Sequence, residues 1–291
     1  MKSSVLLIAN PISGHYSERK LNKIFALFKN AFKDVEVLIT HQKGDAQERA
    51  KQAALENQRL IVAVGGDGTV NEIVNGIAFS ETLLSVMPFG TVSVLAREIG
   101  TFCSIEKAVN IIINGKPHNV SLGRISNADE KHRLFTLMAG IGFDGEVVYS
   151  LNNKMKTALG RFSYIINGLN VFANYRPKSL DINIDKKSFS GYSIIINKAA
   201  RYGGNFMSAP NANINNTDLY ACVFEGKKRL DLLRYALGIV TKTHTNFRDV
   251  KYIKCAEIKI DGDAQIQIDG DYFGKTPAYI DIAANAVKLV Y

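Results

Sequence analysis

The sequence predicts a doubly wound, Rossmann-like α/β domain followed by a β-sandwich domain. Three observations carry that reading. Short apolar runs alternate with amphipathic helical stripes up to about residue 115, and from about residue 120 the apolar runs alternate residue by residue with polar ones. The sharpest motif, Val64 to Gly76, lies where one apolar run gives way to a helical stripe. The domains are accordingly set at 1–120 and 121–291, with a ligand cleft expected between them.

In the first domain, Val5 to Ala9 reads as a strand ended by the turn Asn10-Pro11-Ile12-Ser13-Gly14. Leu21, Ile24, Phe25, Phe28, Ala31 and Phe32 form a helical stripe, and Val35 to Ile39 a second strand. Gly44-Asp45 opens an alanine-lined helix through Ala46, Ala50, Ala53 and Ala54. Leu60 to Val64 is a buried strand, and Val70, Ile73, Val74, Ile77 and Ala78 mark the helix after it. Leu83 to Met87 is a further strand, and a helix is expected from near Thr91 past Arg97. Ligands of such sheets bind at the carboxyl ends of the strands, where Asn10 to Gly14, Thr40, Gly65 to Thr69 and Gly90-Thr91 all fall.

In the second domain, strands are expected at Leu134 to Met138, Leu180 to Ile184, Tyr192 to Ile196, Leu219 to Phe224, Ile258 to Ile260 and Gln265 to Ile268. Asp261-Gly262 reads as a hairpin turn. Phe162, Ile165, Ile166, Leu169 and Phe172 share one helical face, and a less regular helix covers Leu230 to Val240.

The strand-to-helix turn at Gly65-Gly66-Asp67-Gly68-Thr69 has the chemistry of a phosphate site. Backbone N–H groups and the positive end of the helix dipole converge there, glycines permit close approach, and Thr69 is expected to cap the helix. Asp67 is the odd residue, since a carboxylate repels phosphate unless a cation lies between them. That points to Mg²⁺, which takes one or two carboxylates, waters and substrate phosphates.

A chain of 291 residues, 46% hydrophobic and 22% charged, suffices for two packed domains. Cys103, Cys222 and Cys255 are odd in number and form no CxxC pair, so neither a disulfide framework nor a zinc site is expected, and a reducing, cytoplasmic setting fits. No stretch approaches the roughly 20 apolar residues of a membrane-spanning helix, and the N-terminal run is too short for a signal segment. The formal charge of +9 favours anionic partners, while no recognised nucleic-acid motif accompanies it. The five histidines show no metal-binding spacing and read as surface or local hydrogen-bonding residues.

Seven motifs in order, NPISG (Asn10 to Gly14), THQKGDA (Thr40 to Ala46), GGDGTVNEIVNG (Gly65 to Gly76), PFGTVSVLAREIG (Pro88 to Gly100), GIGFDGEVV (Gly140 to Val148), RYGGNFMSAPNA (Arg201 to Ala212) and QIDGDYFG (Gln267 to Gly274), resemble the diacylglycerol kinase catalytic-domain family. These are bacterial lipid kinases related to sphingosine and ceramide kinases, and the likeness spans nearly the whole chain. It implies ATP, Mg²⁺ and a lipid hydroxyl as acceptor. Asn10, Ser13, Gly14 and Thr40 match its nucleotide-contacting positions, and Gly65, Gly66, Gly68, Thr69 and Thr91 its phosphate-binding ones. Asn71 and Glu72 lie near the same crevice, and Asp67 is assigned to the metal and to catalysis. In the Asp269-Gly270-Asp271 turn, one carboxylate, Asp269 or Asp271, is expected to accept the hydroxyl proton.

Two departures from the family pattern bear on chemistry. After Ala209-Pro210 the relatives carry acidic residues associated with a structural Mg²⁺, where this chain has Asn213, Asn215 and Asn216, so that metal site is doubted. Ser93 replaces an asparagine and has shorter reach. Asp144 reads as a headgroup-facing or structural acid, with a helix cap as the alternative. The helix from Gly160 to Tyr175, with Lys154, Lys156 and Arg161, is either a core element or a contact with an anionic membrane at its inner face. Self-association into a homo-oligomer is left open. The rival readings are a NAD kinase-like enzyme, which shares GGDGT, and a catalytically silent nucleotide- or lipid-binding regulator.

Overall fold

A computed structural model describes residues 2–150, 171–172 and 174–291. The chain divides into two compact units, one of residues 1–122 and 284–291, the other of residues 123–283. The helix expected over 160–175 lies almost wholly outside the described residues, which there include only Val171, Phe172, Asn174 and Tyr175.

In the first unit, strands β1 (Lys2–Ala9), β2 (Phe32–Ile39), β3 (Leu60–Gly65) and β4 (Leu83–Pro88) run parallel in the order β2-β1-β3-β4. The end of the last strand, β18 (Ala278–Val290), joins β4 in parallel through Lys288 and Leu289. Helices α1 (Glu18–Lys29), α2 (Asp45–Leu55), α3 (Asp67–Ile77), α4 (Val94–Glu98) and α5 (Ile105–Asn114) complete the unit. β3 is buried along its whole length, as a central parallel strand covered on both faces must be. The amphipathic stripe of α1 buries Leu21, Ile24 and Phe28. Phe32, read from the sequence as the end of that stripe, instead begins β2, because the helix stops at the Asn30 cap.

The second unit is an antiparallel β-sandwich. β5 (Pro117–Asn127) is paired with β6 (His132–Phe135). β7 (Met138–Ile141), helix α6 (Phe143–Tyr149), β8 (Leu180–Ile184), β9 (Lys187–Gly191) and β10 (Ser193–Asn197) follow. Then come the short β11 (Arg201–Gly203) and β12 (Phe206–Met207), β13 (Leu219–Phe224), helix α7 (Arg229–Thr241), β14 (Val250–Cys255), β15 (Ile258–Gly262), β16 (Gln265–Ile268) and β17 (Asp271–Lys275). One layer orders β18-β15-β8-β9 and the other β14-β13-β10-β7-β16-β17. Inward isoleucines of both layers, among them Ile182, Ile184, Ile194, Ile196, Ile258 and Ile266, form a single core. Each is worth about 1.5–3 kcal/mol on burial.

Two sequence expectations are corrected here. Asp261-Gly262 does not close a hairpin: β15 pairs with β8 in one layer and β16 with β7 in the other, so the chain crosses between layers at this point. The hairpin is the next one, β16–β17, closed by Asp269 (φ 47°) and Gly270 (φ 86°). Positive φ at both central residues is the two-residue geometry that matches strand twist. The expected single strand at Leu134 to Met138 is broken into β6 and β7 around Thr136 and Leu137, whose backbone N–H groups are drawn elsewhere.

Candidate active site

The carboxyl ends of β1, β3 and β4 are tied into one layer of loops. Asn10 follows β1, and its N–H bonds to the Val64 carbonyl at 3.0 Å. Its Nδ2 donates to Thr69 Oγ1 at 3.1 Å, and its Oδ1 accepts from the Ile12 N–H at 3.1 Å. The NPISG turn is therefore braced onto the GGDGT loop. Thr69 is not the helix cap the sequence predicted; Gly66 takes that place, and Thr69 is buried inside the first turn of α3 with its hydroxyl toward Asn10. The loops meet without room to spare: a Cβ on Gly14 would lie 2.4 Å from Thr91 Cγ2, and one on Gly90 2.5 Å from Gly66 Cα. A Cβ on Gly68 would meet nothing within 4 Å, so that residue faces open space.

Thr40, at the end of β2, is buried and bonds through its N–H to the Ala9 carbonyl at 2.9 Å. Ser13 donates its N–H to the Asn10 carbonyl at 3.2 Å, within the turn. Asn71 is buried and accepts from Asn75 Nδ2, while Glu72 is half-buried one position further along α3.

Asp67 has a structural task that the sequence did not show. Its Oδ2 accepts the Val94 N–H at 2.9 Å and its Oδ1 the Leu95 N–H at 3.0 Å. The carboxylate thus caps α4, where donors have no partner inside the helix. This helix is shorter than expected and starts later, at Val94, because Ser93 adopts a left-handed conformation (φ 47°) and turns its hydroxyl onto the Gly90 carbonyl. Among the described residues, no group of three or more His, Cys, Asp or Glu is placed to hold a metal. A carboxylate on a glycine-rich turn suits a Mg²⁺ that arrives with phosphates rather than one held by protein ligands alone.

Asp269 and Asp271 lie on the second unit, and the structure gives them different surroundings. Asp269 Oδ2 accepts from Thr136 N (2.8 Å) and Thr136 Oγ1 (2.9 Å), while Oδ1 accepts from Leu137 N (2.9 Å) and Met138 N (3.0 Å). Four donors saturate it. In return the Asp269 N–H bonds to the Met138 carbonyl at 3.0 Å, so this residue is the clamp that breaks β6 from β7. Asp271 opens β17, opposite Ile268, and is half-buried.

Next to this turn lies a relay of which the sequence pointed only to the central acid, Asp144. The Tyr202 hydroxyl and Gln267 Nε2 both donate in short hydrogen bonds to the Asp144 carboxylate, and Gln267 Oε1 accepts the Gly270 N–H at 2.8 Å. Asp144 is thus neither a helix cap nor exposed to a headgroup: Gly142 precedes α6 as its cap, and the acid is buried. Burial pushes the Asp144 carboxyl above its ordinary value, and the bonds from Tyr202 and Gln267 oppose that rise. The missed signal was Gln267, a polar residue buried between two core isoleucines. Beside the first turn of α6 and the start of β16 is a cavity of about 490 Å³, lined in part by Glu146, Val171, Arg176, Lys178, Ala264 and Lys275.

A glycine-rich strand-to-helix turn on a parallel sheet, carried in one chain with a sandwich bearing an Asp-Gly-Asp turn, defines a kinase of the two-domain phosphotransferase type. Residues 4–125 match the diacylglycerol kinase catalytic domain, and residues 138–291 match the YegS C-terminal NAD kinase beta sandwich-like domain. The chain is 30% identical over 279 residues to a diacylglycerol kinase of Bacillus subtilis strain 168, covering 93% of this chain and 90% of that one. It is likewise 30% identical over 286 residues to a diacylglycerol kinase of Staphylococcus aureus strain JH9, covering 96% and 89%. A solved diacylglycerol kinase from Bacillus anthracis strain Sterne shares the fold with a TM-score of 0.74 at 22% identity, covering 99% of this chain and 96% of that one. A second solved structure from that strain gives 0.82 at 24% identity, covering 99% and 95%. The chain belongs to the diacylglycerol kinase catalytic-domain family and is a lipid kinase.

Proposed function

We propose that the protein transfers the γ-phosphoryl group of ATP to the hydroxyl of a diacylglycerol-type lipid. The observation that carries this reading is the brace of Asn10 onto Thr69, which holds two motifs as one anion-binding layer at the N-terminus of α3. The N–H groups of the first turn of α3, with Gly65 to Thr69 and Thr91, bind and orient the phosphates. Thr40, Ser13 and Asn10 border the nucleotide. A Mg²⁺ carried by the nucleotide would supply charge neutralisation, and Asp67, the acid of the glycine loop, would hold it.

On the acceptor side, a proton arriving on Asp269 would have to displace one of four donors. We assign the hydroxyl proton to Asp271, the acid that opens β17, and to Asp269 the turn that presents it. Peripheral contact with an anionic membrane, where such a lipid resides, is supported by the charge of +9 and by α7. That helix exposes Leu230, Leu233, Leu237 and Val240 on one stripe beside Lys227, Lys228 and Arg229.

Incubation with ATP, Mg²⁺ and lipid hydroxyls in mixed micelles, read by mass detection of the phosphorylated lipid, tests the reading. Transfer to diacylglycerol and none to NAD⁺ is expected. Binding of ATP with no transfer to any lipid would overturn it.

A further inference from the structure

The loop that in relatives is associated with a structural Mg²⁺ does not fit a metal here. Asn213, Asn215 and Asn216 supply amides where a hard divalent ion favours carboxylates. The nearby acid in sequence, Asp218, is engaged with Lys254 at 2.8 Å. A lysine is already there instead. Lys198, the first residue after β10, is 0% exposed, and its Nζ donates to the Ile214 carbonyl at 2.8 Å and to the Asn213 carbonyl at 3.3 Å.

A buried ammonium is costly unless polar partners replace its water, so its place in the core requires those carbonyls to converge on it. The surroundings are built for polarity. Asn197 Nδ2 donates to the Tyr220 carbonyl at 3.2 Å, the Ser208 hydroxyl donates to Asn197 Oδ1, and His244 Nε2 meets the Ser208 carbonyl at 2.9 Å. Asn197, Ser208 and His244 are all fully buried, so His244 is a hydrogen-bonding histidine of the core and not of the surface. The loop itself is turned by Asn213, whose Oδ1 accepts the Asn215 N–H at 2.9 Å and whose carbonyl accepts the Asn216 N–H at 3.0 Å.

The geometry points to Lys198 as an internal cation that does for the 213–218 loop what a bound metal would do. Backbone carbonyls are ligands for a hard cation and acceptors for an ammonium alike. A divalent ion at the same carbonyls would sit against the ammonium and be repelled. The order of this loop is therefore independent of divalent metal, and the dependence on Mg²⁺ that the proposed reaction brings resides with the nucleotide alone.

Hydrogen–deuterium exchange of peptides covering 211–219, in the nucleotide-free full chain, tests this without any activity measurement. The wild type is expected to show equal protection in Mg²⁺ and in chelator; faster exchange in chelator would overturn the inference. In K198M the same peptides are expected to exchange roughly tenfold or more faster, the loss of a charge-assisted hydrogen bond, with no recovery in Mg²⁺. Unchanged protection in K198M would also overturn it. If K198M does not fold, K198Q retains two N–H donors without the charge, and protection equal to wild type in that variant would count against the inference in the same way. These readouts are indifferent to whether the chain phosphorylates a lipid.

Discussion

At the scale of single residues, several acids of this protein act as clamps on backbone N–H groups. Asp45 accepts the N–H groups of His41 and Gln42, Asp67 those of Val94 and Leu95, Asp185 those of Ala256 and Glu257, and Asp269 three backbone N–H groups and a hydroxyl. A prediction separates the two acids of the hairpin. D269N turns an acceptor into a donor facing buried N–H groups and is expected to cost about 2–4 kcal/mol in denaturant unfolding. D271N should cost less stability than D269N and lower kcat by about 10²–10⁴. Equal stability losses, or full turnover in D271N, would reverse the assignment.

Asp144 makes a second prediction at this scale. Its folded-state value is raised above the ordinary 3.8, so the folded protein holds a proton that the unfolded chain has released. Stability attributable to this group therefore falls as pH rises from 3.8 through the folded-state value, and is level above it. D144N has no such proton, and its stability should depend less steeply on pH in that window. Urea melts of both proteins across the acid range check this; parallel curves would remove Asp144 from the account.

At the scale of elements, what was legible followed from periodicity. Leu219–Phe224 and Gln265–Ile268 are strands over the residues their patterns mark, and the stripes of α1 and α2 bury Leu21, Ile24 and Phe28 and Ala46, Ala50 and Ala53, with Phe25 and Ala54 half-buried. What was not legible depends on contacts distant in sequence. The strand break at Thr136 is made by Asp269, 133 positions away, and the start of α4 by Asp67, 27 positions before Val94. The return of the last strand to β4, through Lys288 and Leu289, has no local signature either, since an apolar alternating run reads the same in either unit. The candidate site shows the same division. The glycine loop and the Asp-Gly-Asp turn announced themselves by composition, whereas the Tyr202–Asp144–Gln267 relay and the buried Lys198 became visible only once the strands were registered.

At the scale of the whole molecule, the excess of +9 has a direction when set beside α7. Leu232, Tyr235 and Gly238 form the buried face of this helix, and the four large aliphatics from Leu230 to Val240 point outward at spacings of three and four. Two occupants could cover such a stripe, a second copy of the chain or a lipid surface. Antiparallel pairing of two copies would bring Lys227, Lys228 and Arg229 of one against Lys242 of the other, like charge against like. An anionic bilayer would instead suit both the stripe and its flanks, at about 1 kcal/mol per basic residue near the surface. Cosedimentation with vesicles of phosphatidylcholine, with and without phosphatidylglycerol, is expected to show binding that requires the anionic lipid and weakens with salt. L233E/L237E, at exposed positions, should abolish it while the melting temperature and the oligomeric mass stay unchanged. Retained vesicle binding in that variant, or a wild-type dimer that becomes monomeric in it, would assign the stripe elsewhere.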